Sequence, residues 1–466
     1  MSRNKIQFGR PKKAKPKSDL ISINVNNLSI DGRGVAKIDG KTTFIEGAIP
    51  GEQLSVKIST RHKTYDEASI HSIETPSIHR VAPPCQHFEQ CGGCQLQHIE
   101  TSAQLDFKQQ AVLDMLKRNA KVTPAEIIAP LKSTGLHYRR SARIGVNRLS
   151  QSQSAIVGFR RKNSSKLLQV SDCLVLPQQL NGLFDQLRET LDQIENAKAI
   201  THIEYLQGDN TGALTFRCMA ALTGNSKALL EEMLRPFNLQ GYLRYDHGLE
   251  PLTSNQPSLN FLVEQQVLSF EPGDFLQANA AINQQMVVRA KQWLALNETD
   301  IVLDLFAGLG NFSIPVACEV KQLTGVEGSD KMVQRAAANA IANQLDNCQF
   351  FKADLSQDIQ HHSWSKQTYN KIIIDPPRSG ATSLIKQLLQ SKDKGETLRP
   401  THILYIACDS SSLVRDTAQL DVLGYKMDKF SVMDMFPNTA HIESMALFVR
   451  AEKKTKKRPT KRLFGL

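Results

Sequence analysis

Long apolar runs are missing: no stretch of the 466-residue chain approaches the ~18 residues that a membrane span needs. The basic N-terminus has no apolar segment behind it, so no secretory leader is expected and a reduced, cytoplasmic setting follows. Cysteine is scarce, eight in all, and five of them stand alone. That excludes a disulfide scaffold, which spaces cysteines through a whole small domain. The body also lacks the charge excess that the net +11 suggests. Residues 1–19 hold +6 and residues 450–466 hold +7, leaving the body near −2. The two tails have too few apolar residues to fold, are expected to be disordered, and offer non-specific attraction to phosphates. What remains, 41% hydrophobic and 22% charged residues, is ordinary globular composition, and the length suits about three domains.

Residues 20–76 read as short alternating strands separated by turn signals at Asp31-Gly32, Asp39-Gly40 and Pro50-Gly51. Five or so strands at that spacing predict a small OB-like β-barrel. A loop bearing proline and cysteine follows, and then an amphipathic helix from Thr101 to Arg118 with Leu105, Val112, Leu113 and Leu116 on one stripe. Residues 77–270 form a central α+β region. Its clusters Tyr138-Arg139-Arg140 with Arg143, and Phe159-Arg160-Arg161-Lys162, suit base stacking and phosphate contact as well as solvated strand ends. Regular β-α alternation from 271 to 450 predicts a Rossmann-like α/β domain, with a basic tail from 451 to 466.

Cys85, Cys91 and Cys94 lie within ten residues. Three such thiolates need a fourth ligand to complete a zinc site or an iron–sulfur cluster, and Cys173 in a turn-like Ser-Asp-Cys-Leu segment is the best candidate. Four cysteines alone suggest zinc, but three ligands from one loop and one from afar fit iron–sulfur ligation better. Cys218, Cys318 and Cys348 read as small buried hydrophobes.

In the last domain the apolar strand Ile301–Phe306 runs into Ala307-Gly308-Leu309-Gly310-Asn311. Asp304 just before the glycines suits a cationic S-adenosylmethionine (AdoMet), whereas a pyrophosphate would be repelled. Further strands end at Glu327, placed for ribose hydroxyls, and at Asp354, placed for an adenine edge. A fourth ends in Asp375-Pro376-Pro377-Arg378, a loop also compatible with amino-nitrogen methylation. Cys408, at the end of strand 402–407, argues for carbon instead. Pyrimidine C5 is a poor nucleophile until a thiolate adds to C6, and a base must then remove the C5 proton. Glu443 is the expected base, with His441 as runner-up. Cytosine C5 methylation stays open on chemistry alone, and a non-enzymatic ribosome-assembly binder would need neither Cys408 nor Glu443.

With Gly32-Arg33-Gly34-Val35-Ala36 in the N-terminal segment resembling a TRAM module, the chain as a whole resembles the bacterial RNA uridine-C5 methyltransferases that join a TRAM barrel, a [4Fe-4S] site and an AdoMet domain. The motifs carrying the resemblance are Cys85-x5-Cys91-Gly-Gly-Cys94, Asp304-x-Phe306-x-Gly308-x-Gly310-Asn311, Asp375-Pro-Pro-Arg378 and Met435-Phe-Pro-x-Thr-x-His441-x-Glu443. It implies cluster ligands Cys85, Cys91, Cys94 and Cys173, nucleophile Cys408 and base Glu443. It also implies AdoMet contacts at Gln277, Phe306, Asn311, Glu327, Asp354 and Asp375; Gln277 enters by the resemblance alone. The implied partner is 23S ribosomal RNA, with a monomer, no membrane, and another ribosomal or transfer RNA uridine as the alternative target. The chain departs from the family in having Asp409-Ser410 after the nucleophile, where Asn-Pro is usual.

Overall fold

The computed structural model describes residues 20–149, 154–254, 256–390 and 400–451. The basic tails expected at 1–19 and from 452 onward lie outside the described residues. The chain divides into two compact units, one ending at Arg80 and one starting at Val81.

The first unit is a six-stranded sheet built from Ile21–Asn24, Asn27–Leu28, Gly34–Ile38, Lys41–Ile45, Gln53–Arg61 and Tyr65–Thr75. Period-2 alternation sends Ile23, Ala36, Ile45, Leu54, Val56 and Ala68 into one core. The expected Asp39-Gly40 turn closes a two-residue hairpin with both residues left-handed, φ 50° and 79°. Below the core, buried Glu52 accepts both Nε and Nη2 of Arg80 at 2.5 and 2.9 Å. Burial would raise this carboxyl, but the bonds from Arg80 outweigh it and hold it low.

In the second unit, a seven-stranded sheet spans Ser141–Pro251, with helices Leu183–Gln193 and Gly224–Leu234 contributing Phe184, Leu187 and Leu230 to its core. It is followed by an eight-stranded sheet. Seven of its strands are β1 (Ile301–Leu305), β2 (Gln322–Glu327), β3 (Cys348–Lys352), β4 (Lys371–Ile374), β5 (His402–Ala407), β6 (Tyr425–Met433) and β7 (Glu443–Arg450). Their order is β3-β2-β1-β4-β5-β7-β6, with the short strand Glu126–Ile127 added beside β6. β1 to β5 run parallel, and β7 is antiparallel to both its neighbours.

The continuous apolar runs of β1, β4 and β5 follow from burial on both faces. Leu303, Leu305, Ile372, Ile374, Ile403 and Tyr405 face one core, while Val302, Ile373, Leu404 and Ile406 face the other. Helix Thr101–Met115 covers the first face with Leu105 and Val112 and continues into a single π-turn, Leu116–Ala120, that buries Leu116. Each of those side chains contributes about 1.5–3 kcal/mol by leaving water. Helix Ala280–Leu294 covers the second face. Among the described residues no helix is long and apolar enough to cross a membrane.

Candidate active site at the carboxyl edge of the sheet

Strand order reverses between β1 and β4, since β2 lies to one side of β1 and β4 to the other. In open α/β sheets such a switch point leaves a crevice beyond the strand ends. After β1 the chain turns sharply through Phe306 (φ 66°), Gly308 (57°) and Gly310 (98°). A Cβ on Gly310 would stand 2.8 Å from Ile314 Cγ1, so glycine is required there for space as well as for φ. Phe306 and Ala307 both donate their amides to Val326 O, at 2.9 and 3.1 Å, which ties this turn to the end of β2.

A cavity of about 680 Å³ opens beside the turn, and Phe306, Glu327, Asp354, Pro377 and Arg415 are among its walls. Glu327 accepts the amides of Gly308 (3.1 Å) and Ser329 (2.9 Å). Exposed Asp354 is held below the usual carboxylate range, first by the Ser356 hydroxyl at 2.7 Å and then by the Ser356 amide. Asn311 exchanges two amide bonds with Asn283, at 2.7 and 2.8 Å, which fixes its orientation. Gln277 donates Nε2 to Asp375 Oδ2 at 3.4 Å. The residue that the sequence offered no local signal for thus meets one that it signalled strongly.

Two carboxyls at this edge, Asp304 and Glu443, are buried, and a third, Asp375, is half-buried. Asp304 is 1% exposed. Its Oδ2 accepts the Ser313 hydroxyl at 2.5 Å, and its Oδ1 has no partner. Burial, opposed by Ser313 and reinforced by the charges of Asp375 and Glu327, pushes it up to about 7. Burial likewise pushes Asp375 up to about 7. Glu443, 4% exposed, is pushed well above the usual range by burial and then by Asp375, with Arg378 opposing.

The pairing of β5 with β7 ends at Ala407↔Ser444; Cys408 follows the last residue of β5 and Glu443 is the first of β7, which brings them near enough for the Glu443 charge to act on the thiol. An antiparallel strand brings its first residue to the edge where the parallel strands bring their last. The half-buried Cys408 thiol is pushed up to about 11 by burial, then by Glu443 and Asp375, while Arg378 draws it down. Asp409, at the departure from the family pattern, caps helix Ser410–Val422 by accepting the Ser412 amide at 2.8 Å. His441 is exposed, with Nδ1 3.5 Å from Arg378 Nη2. Although the residue is exposed overall, partial desolvation of its ring lowers its pKa, and Arg378, Arg139 and Lys108 add to that.

Three of the four expected cluster cysteines pack together, while Cys91 packs against the core of the seven-stranded sheet with its sulfur near enough to act on the other three. Cys94 packs with Phe88, Tyr138 and Val175, with Cys85 and Cys173 against them. Burial raises Cys85, pushes Cys94 up to about 11 and Cys173 up to about 12, and the neighbouring sulfurs add to each. Gly93 donates its amide to Cys91 Sγ at 3.4 Å, and Cys91 itself bridges to Arg161. Among the described residues no group of three or more His, Cys, Asp or Glu is disposed as a ready-made metal site.

Two sequence expectations need correcting. Tyr138 and Arg140 are buried, not exposed for stacking: Tyr138 donates to Pro437 O at 3.0 Å, and Arg140 donates Nε to Gln277 O at 2.7 Å and packs on Phe261. Of the three cysteines expected in the interior, Cys218 is buried, Cys348 is half-buried and Cys318 is exposed. The sequence reading missed Arg378 as the counter-charge shared by Cys408 and Glu443, although its place after Asp375-Pro-Pro was the available signal. It also missed Asp416, whose buried carboxylate accepts Tyr405 OH and the Ala381 amide, both at 2.6 Å, and so anchors the chain following the double-proline loop.

Comparison with known proteins gives a consistent picture. The family described as tRNA (Uracil-5-)-methyltransferase matches residues 255–451, and the TRAM domain family matches residues 20–70. The 23S rRNA (uracil(1939)-C(5))-methyltransferase RlmD of Legionella pneumophila (strain Paris) is 39% identical over 451 residues, covering 94% of this chain and 99% of the relative. The protein of the same name from Aliivibrio fischeri (strain ATCC 700601 / ES114) is 36% identical, covering 95% and 100%. The Pyrococcus abyssi tRNA (uracil-54, C5)-methyltransferase, solved with S-adenosyl-L-homocysteine, shares the fold with a TM-score of 0.69 at 20% identity, over 92% of this chain and 99% of that one. With a TRAM domain ahead of a methyltransferase fold and near full-length relatedness above 35%, the chain belongs to the family of 23S rRNA uracil-C5 methyltransferases.

Proposed function

We propose that the protein transfers a methyl group from AdoMet to C5 of a uridine in 23S ribosomal RNA, the position called 1939 in its relatives. The observation that carries this reading is the nearness of Cys408 and Glu443, just beyond the last pair of β5 and β7 and at the same edge as Asp375 and the glycine turn. Asp304 and Asp375 meet the cationic methionine end of AdoMet, with Gln277 orienting Asp375. Phe306, Glu327 and Asp354 enclose the adenosine, and Asn311 holds the turn. The target base must leave its stack to reach the thiol.

Cys408 sulfur forms a bond to C6, and the electron pair released at C5 takes the methyl group from the sulfonium. Glu443 then accepts the C5 proton, the C5–H pair restores the C5–C6 double bond, and the C6–S bond breaks to return the thiolate. Arg378 is the only cation acting on both groups among those resolved, and it lowers the cost of the thiolate and of the ionised base. Burial raises Glu443 well above the usual carboxylate range, so the rate of elimination rises with pH as the carboxylate forms.

Cys85, Cys91, Cys94 and Cys173 are proposed to hold a [4Fe-4S] cluster. Supporting this are the apolar pocket shared by Cys85, Cys94 and Cys173, the nearness of the Cys91 sulfur to them, and the raised pKa of those three thiols, a cost of ionisation that a metal offsets by taking the proton's place. Such a group would tie a loop to a distant turn and supply no step of the transfer. The TRAM unit is proposed to close as a barrel and to contact RNA. The eight free cysteines suit a cytoplasmic setting, and a single copy suffices because one chain supplies every proposed site residue.

RNA carrying 5-fluorouridine, incubated with AdoMet, tests the mechanism. Fluorine cannot leave as a cation, so a covalent protein–RNA complex should persist on a denaturing gel and disappear with Cys408→Ala. Trapping by Cys408→Ala would exclude the thiol. Visible absorbance of anaerobically prepared protein tests for iron and sulfide.

A further inference from the structure

The loop that delivers Glu443 is held from below by a helix face far away in sequence. Residues 434–442 link β6 to β7, and their middle residue Asn438 is left-handed at φ 66°. A side-chain-bearing residue keeps that conformation when its surroundings over-determine it. Here every polar atom of Asn438 is engaged. Gln104 Oε1 accepts its amide at 2.9 Å, and Gln104 Nε2 donates to its Oδ1 at 3.1 Å. Asn438 Nδ2 donates to Gly135 O at 2.6 Å, and its carbonyl accepts the amides of Gln95 and Leu96, each at 2.9 Å.

Gln104 is 1% exposed, and its Nε2 also reaches Leu96 O and Ile99 O, at 3.1 and 2.9 Å. One helical turn on, Lys108 is 3% exposed and donates Nζ to Phe436 O at 3.3 Å. Its ammonium also lies 4.0 Å from Asp434 Oδ1, and neither oxygen of Asp434 has a hydrogen-bond partner. Burying an amide and an ammonium side by side is costly unless they bind something specific. What they bind is the loop between Asp434 and Asn438.

We propose that Gln104 and Lys108 are positioning residues that hold the Asp434–Asn438 segment so that Glu443 meets the C5 proton. The inference rests on the reading of Cys408 as nucleophile and Glu443 as base. It also gives the cysteine loop a mechanical task. Gln95 and Leu96 follow Cys94 directly, and Gln95 Oε1 accepts the Ala440 amide at 3.2 Å, so the cysteine loop and the helix grip the same turn.

The predicted defect is confined to proton removal. If the base is misplaced, methyl transfer still occurs, the C6–S bond is not released, and the methylated covalent adduct accumulates on unmodified RNA. The full-length protein is assayed with 23S rRNA fragments and AdoMet as wild type, Gln104→Ala, Gln104→Glu, Lys108→Met with Asp434→Asn, and Glu443→Gln as reference. Gln104→Glu keeps the acceptor for the Asn438 amide but loses the donor. The double variant removes the charge pair without stranding a carboxyl.

The Gln104 and Lys108 variants should lower kcat about tenfold or more, lower KM for RNA along with it because the slowed step follows covalent attachment, leave Kd for AdoMet within about threefold, and enrich the adduct on denaturing gels. A general packing defect would instead weaken AdoMet binding and leave no adduct, which would overturn the inference. So would wild-type kcat in Gln104→Ala and Gln104→Glu. An adduct in Glu443→Gln but in none of the others rejects the positioning role alone. Absence of adduct in every protein, Glu443→Gln included, rejects the catalytic reading beneath it.

Discussion

The two ends of the catalytic sheet treat buried acids in opposite ways. At the amino end, Asp300 is 1% exposed and paired with Lys371 Nζ at 2.6 Å. It also accepts the Asn297 amide at 2.8 Å and the side chain of Asn370. Burial would raise Asp300, but the bonds from Lys371 and Asn370 prevail and hold it low. At the carboxyl end, Asp304, Asp375 and Glu443 have no lysine, and all three are raised. One end is complete within the chain. The other has Arg378 opposing the rise at Glu443, and ionising its raised carboxyls costs stability.

Substitutions at the two ends should therefore separate stability from activity. The largest effect is expected from Glu443→Gln at the carboxyl end. Methyl incorporation at steady state should fall about 10²–10⁴-fold, as for loss of a general base, while the melting temperature holds or rises. At the amino end, Lys371→Met should do the reverse. Urea unfolding should show a loss of about 3–5 kcal/mol for stranding a buried carboxylate, with AdoMet affinity of the folded protein unchanged.

Gly310→Ala is expected to cost both ends' properties at once. The left-handed φ and the 2.8 Å approach to Ile314 should remove about 1–3 kcal/mol of stability and weaken AdoMet binding, read by calorimetry.

The smallest and sharpest contrast lies in pH. A carboxyl raised on folding adds stability when protonated, and that contribution is lost as pH rises through its folded value, here about 7 for Asp304 and Asp375. Between pH 6 and 8 the free protein should lose melting temperature. The rise produced by AdoMet should be larger at pH 8, where its positive charges meet ionised partners. Asp304→Asn should flatten both trends, and an unchanged AdoMet shift across that range would count against the charge argument.

Much of the catalytic edge was legible in the sequence, for a physical reason. Parallel strands covered on both faces read as unbroken apolar runs, so the polar residue that ends each run marks the ligand edge: Glu327, Asp375 and Cys408. Gln277 carried no such mark, because it precedes a helix and not a glycine turn, and only the family motif located it. Tyr138 and Arg140 misled, since an aromatic beside arginines looks like surface until the chain around it is packed. Gln104 and Lys108 were invisible for a related reason. On an amphipathic helix, polar residues off the apolar stripe read as solvated, yet here the loop from β6 to β7 covers them. A pattern along one helix does not disclose that a distant segment will seal its second side.

The antiparallel placement of β7 links reagent geometry to strand registration. Side chains alternate sides along a strand, so sliding β7 by a single position would turn Glu443 to the opposite side of the sheet, away from Cys408. Insertions in the preceding loop can be absorbed only where they leave the Ala407↔Ser444 alignment intact. The proposed nucleophile and proton acceptor are thus kept in step by backbone pairing, much as two teeth of a ratchet stay in mesh.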